Sequence, residues 1–128
     1  MLPKPNRLRS ADDFRMTTRR GVRVARPTLV LHAQQSDSDD PPRVGFIVSK
    51  AVGNAVVRNR VRRRLRHVVA RQIEETAAGT KVVLRALPAA ARPATDLDRE
   101  VASAWKSAMS RLAAGDSTSR AAAAVVAR

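Results

Sequence analysis

The amino-acid sequence predicts one α+β domain, a two-layer sandwich in which helices pack on a small mixed sheet in the order α-β-β-α-β-α. Segments with a helical spacing of apolar residues alternate with short β-branched runs, and glycine or proline marks the changes. The 128 residues, of which 44% are hydrophobic, suffice for one core. We therefore expect a domain over residues 1–115 and a flexible Ala- and Ser-rich tail over 116–128.

The first helix and the first strand are predicted by local signals near the start of the chain. Ser10 and Asp13 form a capping pattern, which predicts a helix over residues 11–20. The β-branched stretch that follows, 22–33, predicts one strand. Because Pro27 cannot donate a hydrogen bond to a ladder, we expect this strand to be bulged or to lie at a sheet edge.

Turn residues and apolar spacing divide the rest of the chain in the same way. An acidic, proline-terminated segment predicts a loop between two strands. A buried stripe of apolar residues predicts a long helix, and a second capping pair, Thr95 and Asp98, predicts the start of the last helix. The expected elements are a loop over 34–42, a strand over 44–49, a helix over 56–75, a strand over 81–87 and a last helix that Gly115 ends.

The charge balance indicates a polyanionic partner. The chain has 25 Lys and Arg residues against 11 Asp and Glu residues, which is a net charge of +14. It has no cysteine, which excludes disulfides, thiolate catalysis and Cys-based zinc sites. It also has no apolar run of the roughly 18 to 20 residues that a transmembrane helix needs, and no apolar signal core at its start. We therefore expect a cytoplasmic protein without a membrane partner.

The densest basic segment lies on the predicted long helix. Residues 58–71 contain seven arginines and no acidic residue. Arginines four residues apart, such as Arg60 and Arg64, repel each other by roughly a few tenths of a kcal/mol, so the isolated fold gains nothing from them. A solvated helix face usually carries both signs of charge, whereas this one does not. The pattern therefore favours a nucleic acid, because arginine can hold two phosphate oxygens at once.

Residues for catalysis or for a nucleotide cofactor do not stand out. The five glycines form no P-loop and no Gly-x-Gly-x-x-Gly pattern. His32 and His67 lack an acidic residue placed to orient them, and the carboxylates do not cluster as a two-metal site requires. We therefore predict no catalytic residue and no metal site. Phe14 belongs either to the core or to the floor of a groove for bases, whereas Phe46 and Trp105 are expected in the core.

A motif at the junction of the second strand and the long helix resembles the signature of the bacterial ribonuclease P protein component. The resemblance spans about residues 3–112 and leaves out the tail. The motif consists of Ser49-Lys50, then Val52-Gly53-Asn54-Ala55-Val56-Val57-Arg58-Asn59-Arg60-Val61-Arg62-Arg63, and then Arg66.

The resemblance implies a left-handed crossover through the basic helix and a role beside a catalytic RNA. In that family the protein assists the RNA in removing the 5′ leader of precursor tRNA, and RNA-bound Mg²⁺ carries the hydrolysis. The implied partners are the catalytic RNA subunit and precursor tRNA, with no small-molecule cofactor and with Mg²⁺ only in the ribonucleoprotein. The family's RNA-contacting motif falls on Lys50, Asn54, Arg58, Asn59, Arg60, Arg62, Arg63 and Arg66. Its leader cleft falls on Phe14, Leu29 and His32.

The sequence departs from that pattern in the cleft. Thr18, Leu29 and His32 stand where many members carry aromatic residues, and Ala51 replaces a frequent second lysine. We therefore expect less base stacking in this cleft than in those members. Two alternatives remain at this point. A structural RNA-binding protein, such as a ribosomal protein, would share the charge but not the motif, and a protein-only nuclease would need the carboxylate cluster that is missing.

Overall fold

A computed structural model describes residues 2–92 and 95–115 of the chain. The predicted tail over 116–128 lies outside the described residues. Within those ranges no helix combines the length and the apolar character of a membrane span. The helices and strands are, in chain order, a 3-10 helix Lys4–Asn6, α1 Ala11–Arg20, β1 Val22–Arg26, β2 Leu29–Gln35, β3 Arg43–Ile47, α2 Ala55–Ile73, β4 Thr80–Ala86, a 3-10 helix Pro88–Ala91 and α3 Leu97–Ala113.

The stretch 22–33 forms two strands, and the prediction of a single strand is wrong. β1 and β2 pair as an antiparallel hairpin around Pro27 and Thr28. The backbone N–H of Thr28 donates to a carboxylate oxygen of Glu100 on α3 at 3.0 Å, and the Thr28 hydroxyl donates to the same oxygen. A contact with a helix far along the chain therefore stabilises the turn, and the order becomes α-β-β-β-α-β-α.

The four strands form one mixed sheet in the order β1-β2-β4-β3. The pairs β1/β2 and β2/β4 are antiparallel, whereas β3 and β4 are parallel. Parallel neighbours need a crossover connection, which α2 provides between β3 and β4. The strand β3 therefore lies at an edge of the sheet, beside the helix that carries the arginines.

One face of the sheet forms the core with α2 and α3. Strand alternation directs Val22, Ala33, Val82 and Val44 to this face, where they lie side by side across the four strands. Trp105 of α3 is buried in the same core, as predicted. The prediction of an α+β fold with helices on a small mixed sheet is thus confirmed, and the sheet and the α2/α3 pair are its two main layers.

The short helix α1 packs against the other face of the sheet. The ring of Phe14 lies directly over Gly45 of β3, where a Cβ atom would come within 2.2 Å of the ring. The Nζ atom of Lys81 on β4 donates to Asp13 at 3.1 Å and ties the start of α1 to the sheet. A side chain at position 45 would displace the Phe14 ring, so glycine there allows the ring to lie against the strand.

The capping prediction is confirmed for α1 and wrong for α3. The Ser10 hydroxyl accepts from the N–H of Asp13 at 3.4 Å at the start of α1, as the sequence predicted. The helix α3 begins after Asp96, whose carboxylate accepts from a backbone N–H at 3.1 Å. The Thr95 hydroxyl instead donates to the carbonyl of Ala89 at 2.8 Å, and so the predicted cap at Thr95 is incorrect.

Candidate nucleic-acid interface

The helix α2 presents its arginines to solvent because its apolar stripe is committed to the core. The side-chain oxygen of Asn54 accepts from the N–H of Val57 at 3.0 Å and begins the helix. Val61 and Leu65 are almost fully buried at the centre of the stripe. The basic residues between these positions must therefore point away from the sheet. The buried stripe of the helix consists of Val61, Leu65, Val68, Val69 and Ile73.

The eight residues predicted to contact RNA lie at the entry to α2 and around the first part of the helix. Lys50 and Asn54 lie at its entry, Arg58 and Arg62 are half-buried, and the other four are exposed. The amide oxygen of Asn59 accepts from Arg62 at 3.4 Å. In the part of the chain that the structure describes, no carboxylate lies within ion-pair distance of any of the eight. We call this set the basic surface: Lys50, Asn54, Arg58, Asn59, Arg60, Arg62, Arg63 and Arg66.

Two arginines on α2 differ from their neighbours: one forms an ion pair, and the other has a buried N–H group without a partner among the described residues. Arg64, outside the basic surface, lies 3.8 Å from Asp98 of α3. The Nε atom of Arg58 is buried and finds no hydrogen-bond partner among the described residues. A buried N–H group without a partner costs free energy, so an anion that reached Arg58 would relieve that cost.

The predicted cleft lies on the sheet face that α1 covers. Four residues stand side by side across this face, one on each strand: Arg23, His32, Val83 and Gly45. His32 and Val83 are buried and Phe14 is half-buried over Gly45, and we call this junction of α1 with the sheet the groove. Phe14 and His32 therefore lie on the same side of the sheet.

Leu29 does not line this groove, and its placement there is wrong. It is 0% exposed and belongs to the core on the opposite face of the sheet. Leu29 and His32 are three residues apart on one strand, and side chains alternate between the two faces of a strand. The two residues must therefore point in opposite directions, and of the two only His32 lies on the face that α1 covers.

The surroundings of His32 disfavour the charged form of its imidazole. Burial lowers the pKa of the imidazole below its usual value of about 6.5, and the positive charges of Arg23 and Arg85 lower it further. Its Nδ1 atom is buried and has no hydrogen-bond partner among the described residues. In those same residues no group of three or more His, Asp or Glu side chains could hold a metal ion.

Sequence reasoning missed a basic cavity at the outer edge of β3. The segment before α1 runs along this edge, where the N–H of Leu8 donates to the carbonyl of Val44 at 2.9 Å. The cavity has a volume of about 410 Å³. The basic residues at positions 7 and 9 flank a buried leucine, and this alternation was the available signal for an extended segment. Six residues give the cavity its character: Arg7, Arg9, Phe14, Phe46, Arg62 and Arg66.

A mixed β-sheet and a helix whose basic surface has no ion-pair partner among the described residues define a small basic protein suited to bind a nucleic acid. The family model described as Ribonuclease P matches residues 2–109. The ribonuclease P protein component of Beutenbergia cavernae is 53% identical over 102 residues, which cover 79% of this chain and 86% of that protein. The corresponding protein of Streptomyces griseus is 50% identical over 111 residues, which cover 77% of this chain and 90% of that protein.

Solved structures agree with these relatives. A Staphylococcus aureus RNase P protein mutant with defective mRNA degradation activity matches with a TM-score of 0.73 at 25% identity, over 80% of this chain and 87% of that chain. The RNase P protein from Thermotoga maritima matches in fold with a TM-score of 0.65 at 21% identity, over 82% of this chain and 96% of that chain. The chain belongs to the ribonuclease P protein family. Its role is that of the protein subunit of the ribonucleoprotein that processes the 5′ ends of tRNA.

Proposed function

We propose that the basic surface of α2 binds phosphates of the catalytic RNA subunit, and that the groove beneath α1 binds the 5′ leader of precursor tRNA. The observation that carries the first part is the absence of ion-pair partners around the six charged residues of the basic surface, within the described part of the chain. Charges left without partners repel one another in the free protein. Phosphates remove that repulsion, and binding releases the counterions condensed on the RNA. Both effects make the free energy of binding more favourable.

The groove supports the second part through shape and polarity. Phe14 can stack on one base, since its ring is only half-buried over Gly45. His32 and Val83 continue the same sheet face beside Gly45 and are buried beneath α1. A single half-exposed aromatic ring can stack on an unpaired base of a single strand, whereas the paired and stacked bases of a duplex are not open to it. The unpaired leader of a precursor tRNA is such a strand.

The protein supplies binding and the RNA supplies chemistry in this proposal. The described residues offer no group of side chains suited to hold a metal ion. His32 carries Arg23 and Arg85 as charged neighbours, an environment that would repel a metal ion. We therefore propose that the Mg²⁺ of the holoenzyme is bound by RNA and that the protein acts in the cytoplasm on newly made precursor tRNA. Positive side chains then offset phosphate repulsion that additional cations would otherwise have to screen.

Cleavage of a precursor tRNA at low Mg²⁺ concentration tests this division. Three reactions are compared: the RNA subunit alone, the protein alone, and both together. We expect rapid removal of the leader only when both are present, slow cleavage by RNA alone, and none by protein alone. Cleavage at a defined position by the protein alone would overturn the proposal. Equal rates with and without the protein would show that the basic surface does not serve this reaction.

A further inference from the structure

The cavity at the outer edge of β3 joins the two surfaces already described. Phe14 lines both this cavity and the groove beneath α1, while Arg62 and Arg66 belong to the basic surface. The remaining charges come from Arg7 and Arg9 in the segment before α1. Four arginines from two distant parts of the chain thus converge on a space of about 410 Å³, and its lining includes no acidic residue among those that the structure describes.

The segment that carries Arg7 and Arg9 is held in place by contacts of its own. Leu2 is buried in the core, and the Nε atom of Arg7 donates to the Leu2 carbonyl at 2.9 Å. The side chain of Asn6 donates to the carbonyl of Pro42 at 2.8 Å. Arg9 is exposed, and its side chain makes no hydrogen bond or ion pair within the described part of the chain. The charge of Arg9 is therefore available to a ligand. Arg7 instead helps to hold the segment that forms one side of the cavity.

We propose that this cavity receives a nucleotide of the 5′ leader beyond those in the groove, with its phosphate between Arg9 and the arginines of α2. The inference rests on the proposed leader groove and extends it around the edge of the sheet. A single strand that leaves Phe14 in this direction meets the cavity next. Phe14 and Phe46 offer apolar contact to the base, and arginine forks match the phosphate oxygens.

A neighbouring cavity of the same volume, about 410 Å³, is a less suitable phosphate site. It shares Arg7 and Arg9 and adds Lys4 and Arg43, but it is also lined by Asp13, whose carboxylate repels a phosphate. Asp13 already pairs with Lys81 at 3.1 Å and serves to hold α1 on the sheet. The first cavity is favoured as the phosphate site because its described lining contains basic and apolar residues and no acidic one.

The experiment measures the affinity of the reconstituted holoenzyme for precursor tRNAs whose leaders are lengthened one nucleotide at a time. We expect Arg9→Gln to leave the binding of mature tRNA and of the shortest leaders unchanged. Beyond a threshold length it should weaken binding roughly fivefold, the effect of one partly screened charge interaction. It should also lower the magnitude of the salt slope by about 0.7. Arg9→Lys, which keeps the charge, should retain most of that slope.

Arg99→Gln is the matched control because it removes the same charge from an exposed side chain of α3. That helix packs on β1 and β2, at the end of the sheet away from β3. We expect no dependence on leader length from this variant, and thermal unfolding should be unchanged for all three variants. An equal loss for every leader length, or weaker binding of the RNA subunit by Arg9→Gln, would overturn the inference. His32→Gln in the same assay reports on the groove alone, because His32 does not line the cavity, so failure of the groove is distinguished from failure of the cavity.

Discussion

Replacing Arg60 by Ala tests whether the basic surface binds phosphates or is merely solvated. Arg60 is exposed, lies one turn before Arg64 and has no acidic partner within ion-pair distance among the described residues. Removing it relieves like-charge repulsion of roughly a few tenths of a kcal/mol and introduces the best helix former. The free energy of unfolding should therefore stay the same or rise slightly, while affinity for the RNA subunit falls.

The magnitude follows from counterion release. Each phosphate that the variant no longer neutralises should lower the magnitude of the slope of log K against log salt by about 0.7 to 0.9. Between about 50 mM and 200 mM salt, such a change in slope alters the ratio of wild-type affinity to variant affinity about threefold. Filter binding of the RNA subunit over this salt range, for the wild type and Arg60→Ala, measures the slope directly.

Arg64→Ala provides a control on the same helix. Arg64 lies 3.8 Å from Asp98, so its charge is partly satisfied within the protein, and its loss removes an exposed ion pair worth at most about 1 kcal/mol. We expect a small loss of stability and a smaller change in salt slope than for Arg60→Ala. If Arg60→Ala lowers the melting temperature and leaves the salt slope unchanged, its side chain is structural and the reasoning about the basic surface is refuted.

The remaining predictions concern the groove and its histidine. Phe14→Leu should keep the fold and weaken binding of precursor tRNA more than of mature tRNA, by about 1 to 3 kcal/mol if a base stacks on the ring; equal losses would assign Phe14 to the core. Leu29→Ala should destabilise the protein by about 2 to 5 kcal/mol in a denaturant titration, without a specific loss of leader binding in the folded protein. The double variant His32→Gln and His67→Gln should still support substantial cleavage, and normal RNA binding with no hydrolysis would contradict the accessory role. Because the folded protein holds the pKa of His32 below about 6.5, the unfolded chain binds the proton more readily, and stability should fall as the pH drops below that value; His32→Gln should reduce this dependence in thermal melts.

Much of the fold could be predicted because its signals are local. The cap at Ser10 depends on residues within one turn of the helix, and it is present in the structure. The arginines of α2 stand beside an apolar stripe whose spacing alone directs them to solvent. The α+β class and the family motif therefore required no knowledge of long-range contacts.

One error arose where a distant segment decides the local structure, and another arose from a family pattern. The turn at Pro27 and Thr28 is stabilised by Glu100, so a hairpin replaced the expected single strand. Leu29 was assigned to the groove by its position in a family pattern, although the alternation of side chains along a strand would have separated it from His32. This correction was available from the sequence, whereas the hairpin was not.

The sequence by itself determined the charge, the basic helix, the fold class and the family, because each depends on composition or on residues close together in the chain. Only the tertiary structure placed Phe14 over Gly45 and brought Arg9 to the cavity that Arg62 and Arg66 also line. Those arrangements depend on the pairing of β3 with β4 and on the course of the first segment along the edge of β3. Such contacts join residues far apart in the chain, and they form only when the hydrophobic core has fixed the positions of the strands and helices.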